Sequence, residues 1–358
     1  MLEDSAPKKS VYREHTRVKH VLLEKYLKAW IPVLGKYHSR ICYFDGFAGR
    51  GEYESGDPGS PVIAIQVAHG FEKHFGEFVC TNIEHDPDAF KNLESTLSSY
   101  QYPKIKVVNV QGAFADVIEQ IIVKVGGELA PSFFFIDPFG FSGVPFGIIK
   151  DILSIQRTEV FITFMYHDIN RFLRTPQTQT ALNALFGTTI SGQLSSLLTS
   201  REKENAIRDL YVKQLREAAG ARFVLTFRVS MQNRRRTRYY LIYATNHFKG
   251  LMLMKTIMYN QGVGGDFSYL GPEDGARRIQ PSFFDDDVQP LKDLLLARFK
   301  GRTLTYNQIE EETWEEHFVD KHYRAVLKEL ENDEKVCIKH VSSKTTRGLS
   351  GKDQISFL

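Results

Sequence analysis

The chain has 358 residues, of which 42% are hydrophobic and 25% charged, a composition typical of an ordinary globular protein with one or two domains. Its net charge is only +3, from 46 basic and 43 acidic residues, so a nucleic-acid function would have to depend on local clusters of charge. The three cysteines lack CxxC spacing and no apolar run approaches about 18 residues, so we expect no metal site, disulfide, signal peptide or membrane span, and a cytoplasmic location.

The first predicted element is a helix from Thr16 to Tyr37, because apolar residues recur along it at helical spacing. Lys19 and His20 lie near its start and are candidate substrate-binding residues. A histidine in this position is equally well explained as a satisfied core or surface residue, so the sequence leaves both roles open.

A short apolar run, Ile41–Phe44, then leads into Asp45 and a turn that contains Gly46, Gly49 and Gly51. Parallel strands deliver the chain to a ligand through such glycine-rich turns, where the backbone can approach the ligand closely. An acid at the head of the turn would repel a pyrophosphate but suits a ligand with positive charge and amine donors. The pattern therefore favours an S-adenosylmethionine loop over a dinucleotide loop, with these four residues as cofactor ligands.

The next predicted strand, Phe78–Glu84, also ends in an acid, and Glu84 is well placed to accept hydrogen bonds from both ribose hydroxyls of an adenosine. Three more apolar runs, separated by predicted helices, are Lys106–Val110, Ser132–Ile136 and Val160–Met165. Helix capping could explain any single polar residue at a strand end, but explains the whole series poorly. Strands that alternate with helices predict a doubly wound parallel sheet, whose ligand crevice lies outside the carboxyl ends of its strands.

The fourth strand is followed by Asp137, Pro138 and Phe139, which are the candidate catalytic residues. An acid oxygen and a neighbouring carbonyl can accept the two protons of an exocyclic amine and localise its lone pair. Phe139 or Phe141 is a candidate to stack on a flipped base. A turn that only packs the loop is the alternative interpretation.

A largely helical stretch at about 170–220 is too long for one crossover and predicts an inserted cap. Two further strands, Arg222–Val229 and Arg238–Ala244, predict an antiparallel edge hairpin, which completes a seven-stranded methyltransferase-type sheet of five parallel strands plus the hairpin. The hairpin region carries the densest basic cluster, namely Arg234, Arg235, Arg236 and Arg238. Arginine clusters favour phosphate, so nucleic acid is preferred here over a merely solvated loop.

The remaining chain predicts a second domain. Residues from Asn260 to Gln289 are rich in Gly, Asp and Pro, which indicates a loop and linker. Three helices and a two-stranded hairpin follow, the outline of a winged helix. We therefore expect a methyltransferase-like domain at 1–285 and a winged-helix-like domain at 286–358. The acidic segment Glu310–Asp320 leaves protein binding open for the second domain.

Several segments together resemble the three-Cys-motif partner proteins, a family with the class I S-adenosylmethionine-dependent methyltransferase fold. They are Lys19–Trp30, Tyr43–Gly51, Gly59–Pro61, Phe135–Gly140 and Tyr240–Phe248, and they keep their order along about residues 15–260. The family name records a partnership with a three-cysteine protein, so the resemblance implies such a partner but assigns no reaction.

A looser similarity extends to adenine-N6 methyltransferases of ribosomal RNA, which combine a Lys-His pair, an Asp-x-x-Ala-Gly-x-Gly loop and an Asp-Pro-Pro-Tyr motif. It implies that the glycines and Glu84 hold the cofactor and that Asp137 and Pro138 meet the target amine. Here Phe139 replaces the second proline and Gly140 replaces the aromatic residue.

The sequence thus predicts an S-adenosylmethionine-dependent methyltransferase acting on RNA or DNA, without metal or membrane. A non-catalytic partner subunit and a nucleic-acid-binding module are the alternatives.

Overall fold

The computed structural model describes residues 14–190, 199–231, 236–262, 267–269, 287–341 and 348–358. Clustering of contacts divides the chain into two compact units, Met1–Leu253 with Tyr269–Gly271 and Met254–Ser268 with Pro272–Leu358.

The first unit contains the predicted α/β sheet. Its strands are β1 Arg40–Asp45, β2 Glu77–Glu84, β3 Ile105–Gln111, β4 Ser132–Ile136, β5 Thr158–Phe164, β6 Phe223–Ser230 and β7 Thr237–Thr245. Its helices are α1 Glu14–Gly35, α2 Ser60–Gly70, α3 Pro87–Leu97, α4 Phe114–Lys124, α5 Phe146–Ser154, α6 Tyr166–Phe172, α7 Gln179–Phe186 and α8 Ser200–Lys213. A further helix, α9 Phe248–Gln261, begins in this unit, and a two-residue strand, β8 Ser268–Tyr269, joins the sheet.

The strand order is β3-β2-β1-β4-β5-β7-β6-β8, with the first five strands parallel and β7 antiparallel to both β5 and β6. This order is the methyltransferase form of the doubly wound sheet and confirms the predicted fold class. The prediction of seven strands was wrong by one, because β8 is too short to produce an alternating pattern.

The core of this unit follows from the apolar runs. Every residue of β4 and β5 is buried, as expected for parallel strands covered by helices on both faces. The helix α3 begins with a side-chain cap, since Asp86 accepts a hydrogen bond from Ala89 N at 2.7 Å and Pro87 occupies the first turn.

The second unit has the elements of a winged helix around a separate hydrophobic core. They are α10 Gln289–Phe299, β9 Thr303–Thr305, α11 Tyr306–Glu312, α12 Asp320–Asn332, β10 Val336–Lys339 and β11 Gln354–Phe357. The predicted hairpin gains β9 as a third strand, in the order β10-β11-β9. Most of the predicted linker and part of the predicted hairpin loop between β10 and β11 lie outside the described residues. Within the described part of the chain, no helix is long and apolar enough to cross a membrane.

A buried acid lies at the amino-terminal end of β5, on the opposite edge of the sheet from the glycine-rich loop. Glu159 is 4% exposed and accepts a hydrogen bond from Tyr26 of α1 at 2.6 Å, while the hydroxyls of Tyr26 and Tyr243 are 2.7 Å apart. Burial raises the pKa of Glu159 from 4.5 to about 7, although hydrogen bonds from both tyrosines oppose this effect.

The raised pKa of Glu159 predicts a pH dependence of stability. The folded state binds the proton more tightly than the unfolded chain, so the stabilisation is complete below the unfolded pKa of 4.5 and is lost as pH rises through about 7. Glu159→Gln should remove this dependence, and relative to wild type it should gain about 1 to 3 kcal/mol between pH 4.5 and pH 8. Urea unfolding at both pH values measures the change, with exposed Glu94→Gln on α3 as the control. Parallel pH profiles for wild type and Glu159→Gln would contradict it.

Candidate functional site

The glycine-rich loop after β1 is fixed to both neighbouring strands at their carboxyl ends. Gly49 N donates a hydrogen bond to Glu84 Oε2 at 2.8 Å, at the end of β2. Gly46 N donates to Phe135 O at 2.9 Å, near the end of β4. The loop, Glu84 and the segment after β4 therefore lie at one edge of the sheet.

Two glycines of this loop are required for different reasons. A Cβ at Gly46 would lie 2.7 Å from Phe114 Cδ2, so close packing excludes a side chain there. Gly49 has a φ of +62°, which favours glycine, and a Cβ there would meet nothing within 4 Å. The backbone at Gly49 thus faces open space that a ligand can enter, beside the Glu84 carboxylate.

Glu84 is held in place by two backbone donors. Its Oε2 accepts from Gly49 N, and its Oε1 accepts from Asp86 N at 2.8 Å. Each carboxylate oxygen can accept more than one hydrogen bond, so a fixed carboxylate can still accept ribose hydroxyls. These residues fit the adenosine part of S-adenosylmethionine: an oriented acid beside an open stretch of backbone.

Asp45, at the end of β1, is buried beneath the glycine-rich loop. Its side chain has no exposed surface, and it accepts hydrogen bonds from Tyr43 Oη at 3.0 Å and Phe47 N at 3.3 Å. Burial raises its pKa to about 7, while hydrogen bonds from Ser60, Tyr43 and Phe47 oppose the shift. In this structure Asp45 holds the loop through these hydrogen bonds, and its predicted role as a cofactor ligand stays a prediction.

Asp137 and Lys19 form an ion pair although they are 118 residues apart in sequence. Lys19 reaches from α1 to the segment after β4, and the two side chains are 13% and 17% exposed. The structure thus brings together a predicted substrate-binding residue and a predicted catalytic residue. Pro138, the next candidate, is buried.

His20 is the neighbour of Lys19 on α1 but lies inside the protein. It is 3% exposed, and burial lowers its pKa to about 3, with the charge of Lys19 adding to the effect and that of Asp137 opposing it. A neutral, buried imidazole has almost no surface for a substrate. It packs next to Tyr53 at a ring-centroid distance of 5.8 Å, and its predicted substrate-binding role stays a prediction.

Two tyrosines that the sequence analysis did not predict, Tyr239 and Tyr53, also belong to the candidate site. Burial raises the pKa of Tyr239, and the charges of Asp137 and Tyr53 raise it further, so these side chains are electrostatic neighbours. Tyr239 belongs to β7, and its position beside Asp137 follows from the sheet order. The largely apolar sequence of β7 predicts its burial, since the strand is buried along nearly its whole length, but no local pattern connects it with Asp137.

Phe139 and Phe141 differ sharply in environment. Phe139 is 79% exposed, whereas the ring of Phe141 packs against Phe172 at a centroid distance of 6.0 Å. Gly140 between them has a φ of +81°, a conformation that favours glycine and separates the two rings. Of the two aromatic candidates, Phe139 is the exposed one, whereas Phe141 is half-buried.

The basic hairpin lies at the same edge of the sheet as Asp137. The strand β7 runs antiparallel to β5, with Tyr240 opposite Phe164, so the start of β7 lies beside the carboxyl end of β5. Arg236 is exposed at this end and Arg238 is half-buried on β7 itself. Arg234 and Arg235 lie outside the described residues.

Among the residues that the structure describes, no group of three or more His, Cys, Asp and Glu side chains is arranged to hold a metal ion. Cys42 and Cys80 are buried in β1 and β2, and burial raises the pKa of the Cys42 thiol to about 11. These two cysteines therefore serve as small core residues.

Comparison of the sequence with known protein families gives a match in the second unit. Residues 272–339 match the GMT-like wHTH domain family, which agrees with the winged-helix elements described above. No curated protein matches the chain.

Comparison by structure concerns the first unit. An O-methyltransferase from Bacillus cereus in complex with SAH matches with 13% identity and a TM-score of 0.35, over 68% of this chain and 94% of that chain. Trm1 from Pyrococcus horikoshii with S-adenosyl-L-methionine matches with 11% identity and a TM-score of 0.37, over 68% of this chain but 60% of Trm1. Precorrin-6y C5,15-methyltransferase from Geobacter metallireducens matches with 12% identity and a TM-score of 0.32, over 68% and 95%. Similarities this distant assign no function, and the fold assignment rests on the strand order.

The contact between Glu84 and the loop generates a binding prediction. Glu84→Ala should weaken S-adenosylmethionine binding by about 1 to 3 kcal/mol, because a charge-assisted acceptor and the anchor of Gly49 are both lost. Calorimetric titration measures the affinity, and the exposed Glu119→Ala on α4 serves as a control with the same loss of charge. An affinity equal to that of wild type would remove Glu84 from the cofactor site.

Proposed function

We propose that this protein binds S-adenosylmethionine at the carboxyl ends of β1, β2 and β4 and methylates an amine nitrogen of a nucleic-acid base. The observation that carries the proposal is the hydrogen bond between Gly49 N and Glu84 Oε2, which joins the predicted loop to the predicted ribose acceptor. Bound there, S-adenosylmethionine would supply an electrophilic methyl group on a sulfonium.

The residues after β4 would position the acceptor. Methyl transfer from a sulfonium is an in-line displacement, so the protein acts mainly by orientation and electrostatics. The Asp137 carboxylate would accept a hydrogen bond from the amine, since its ion pair with Lys19 leaves acceptor capacity on the two oxygens. Exposed Phe139 would stack on the base and exclude water from one of its faces.

A second function, that of a non-catalytic partner subunit, is favoured by two features of the segment after β4. Lys19 occupies Asp137 Oδ2, and the turn lacks the second proline and the aromatic residue of the amine-methylating motif. Both features suit a partner subunit that keeps the fold and performs no transfer, as the resemblance to three-Cys-motif partner proteins also implies. In that case Phe139 would contact the partner protein rather than a base.

Features of the second unit give an independent argument for a nucleic-acid substrate. The third helix of a winged helix is the one that reads DNA, and the exposed side of the third helix here, α12, carries Lys321 and Lys328 two helical turns apart. The acidic segment that favoured protein binding is less available than its sequence indicates, because Glu310 is 6% exposed and Glu312 forms two hydrogen bonds with Arg302.

The central experiment separates cofactor binding from transfer. Purified protein is titrated with S-adenosylmethionine by calorimetry and then incubated with labelled cofactor and total RNA or DNA. We expect binding and base methylation, with Asp137→Asn abolishing transfer while cofactor affinity stays within about twofold of wild type. Binding without transfer to either nucleic acid would favour the partner-subunit function, and absence of binding would overturn the proposal.

Phe139 offers a prediction about substrate affinity. Phe139→Ala should weaken nucleic-acid binding by about 1 to 3 kcal/mol, the usual contribution of one base stacked on an aromatic ring. Phe139→Trp should restore it, and Tyr37→Ala, which removes a ring that is 72% exposed on the loop after α1, should have no effect. Fluorescence anisotropy with a labelled oligonucleotide provides the measurement. Equal losses for Phe139→Ala and Tyr37→Ala would exclude a specific stacking role.

A further inference from the structure

The charge of the chain is distributed very unevenly. Residues 165–240 contain 13 Lys and Arg but five Asp and Glu, a net charge of +8, whereas the whole chain has +3. The rest of the chain therefore carries −5. Such asymmetry between segments is typical of proteins that bind polyanions, and it is hidden in the near-neutral total.

The described elements of this segment lie beside the candidate site. The helix α6 begins two residues after β5 ends, and β5 is the neighbour of β4, with Ile162 opposite Ile136. The first residues of β7 lie at the same edge, as the register with β5 shows. On α8, Glu204 accepts a hydrogen bond from Tyr240 at 2.5 Å, which fixes this helix to the start of β7.

Four of the five acids of the segment are engaged within it. Asp209 pairs with Arg208 at 2.8 Å, and Glu217 pairs with Lys213 at 3.8 Å. Glu202 caps its own helix through Thr199, and Glu204 lies 3.8 Å from Arg228 of β6. These acids therefore balance Arg208, Lys213 and Arg228 but not the excess of basic residues in the segment.

Like charges are also held together there. Lys203 of α8 lies close enough to Arg174, just after α6, for that charge to lower its pKa, in addition to the effect of burial. The chain thus brings positive charges from separate elements to one edge of the sheet, an arrangement that suits a bound polyanion.

We propose that α6, α8 and the β6–β7 hairpin form a basic wall that binds the phosphodiester backbone of a single-stranded polynucleotide next to Asp137 and Phe139. The basic wall consists of Arg171, Arg174, Lys203, Arg236 and Arg238. The inference rests on the proposed function and specifies its substrate class.

The geometry favours a strand over a free nucleotide or a duplex. The wall takes charges from three separate elements, which match several successive phosphates rather than the phosphates of one nucleotide. A single strand bound along the wall can present a base to the crevice without the free-energy cost of unpairing it. Phosphate contacts fix the position of the strand, whereas the base is recognised in the crevice.

The test compares two triple variants that lose the same charge. The wall variant carries Arg171→Gln, Arg174→Gln and Lys203→Gln. The control variant carries Lys73→Gln, Lys91→Gln and Lys106→Gln, which are exposed positions on the far side of the sheet around β2 and β3. Binding of labelled 20-nucleotide RNA and DNA strands of one sequence, and of the matching duplexes, is measured between 50 and 300 mM salt.

We expect the wall variant to lower the slope of log K against log[salt] by roughly 2, since each lost phosphate contact of a single strand contributes about 0.7. The control variant should keep the wild-type slope, and Arg171→Lys with Arg174→Lys should keep most of the affinity. If the wall variant does not fold, the single variants Arg171→Gln and Arg236→Gln replace it, each with an expected decrease of about 0.7.

Three results would overturn the inference: equal slopes for the wall variant and wild type, equal losses for wall and control variants, or tighter binding of duplex than of single strands. Calorimetry with S-adenosylmethionine separates this failure from failure of the proposed function. Cofactor affinity should be unchanged in the wall variant, and absence of cofactor binding in wild type would instead contradict the function itself.

Discussion

The register of β1 between its two neighbours is the constraint on which the candidate site depends. Asp45, the last residue of β1, lies opposite Asn82 of β2 and Phe135 of β4. Glu84 and Asp137 each come two residues further along, which corresponds to about 7 Å of strand. This offset buries Asp45 under the loop and brings the other two acids to the rim. A slip of one residue would turn the strand's side chains to the opposite face.

The parts of this arrangement that sequence reasoning predicted are those with a local signature. Apolar runs that end in a polar residue located the parallel strands, and glycine spacing located the loop. The pairing of Lys19 with Asp137 has no local signature, because it joins residues 118 positions apart. The burial of Asp45 was equally hidden, since its sequence context is the same whether a strand end is capped by a ligand or by its own loop.

The missed elements of the fold have two different causes. The strands β8 and β9 have two and three residues, too few for alternation to be recognised. By contrast, α9 carried a usable signal: Leu251, Met254 and Met258 are fully buried and recur at helical spacing. The Gly-, Asp- and Pro-rich stretch that begins at Asn260 directly follows this helix and hides the helical pattern in the sequence.

The ion pair between Lys19 and Asp137 bears on whether the site is catalytic. Removing two charges from water offsets much of their mutual attraction, so a partly buried ion pair adds little to the stability of a fold. Apolar side chains could connect α1 to the segment after β4 at least as well. The pair is therefore better explained by what it does at the rim, where Lys19 keeps a carboxylate oriented beside an exposed aromatic ring. The same pair is compatible with both proposals, because an oriented acceptor suits methyl transfer, whereas an Oδ2 already occupied by Lys19 suits a partner subunit.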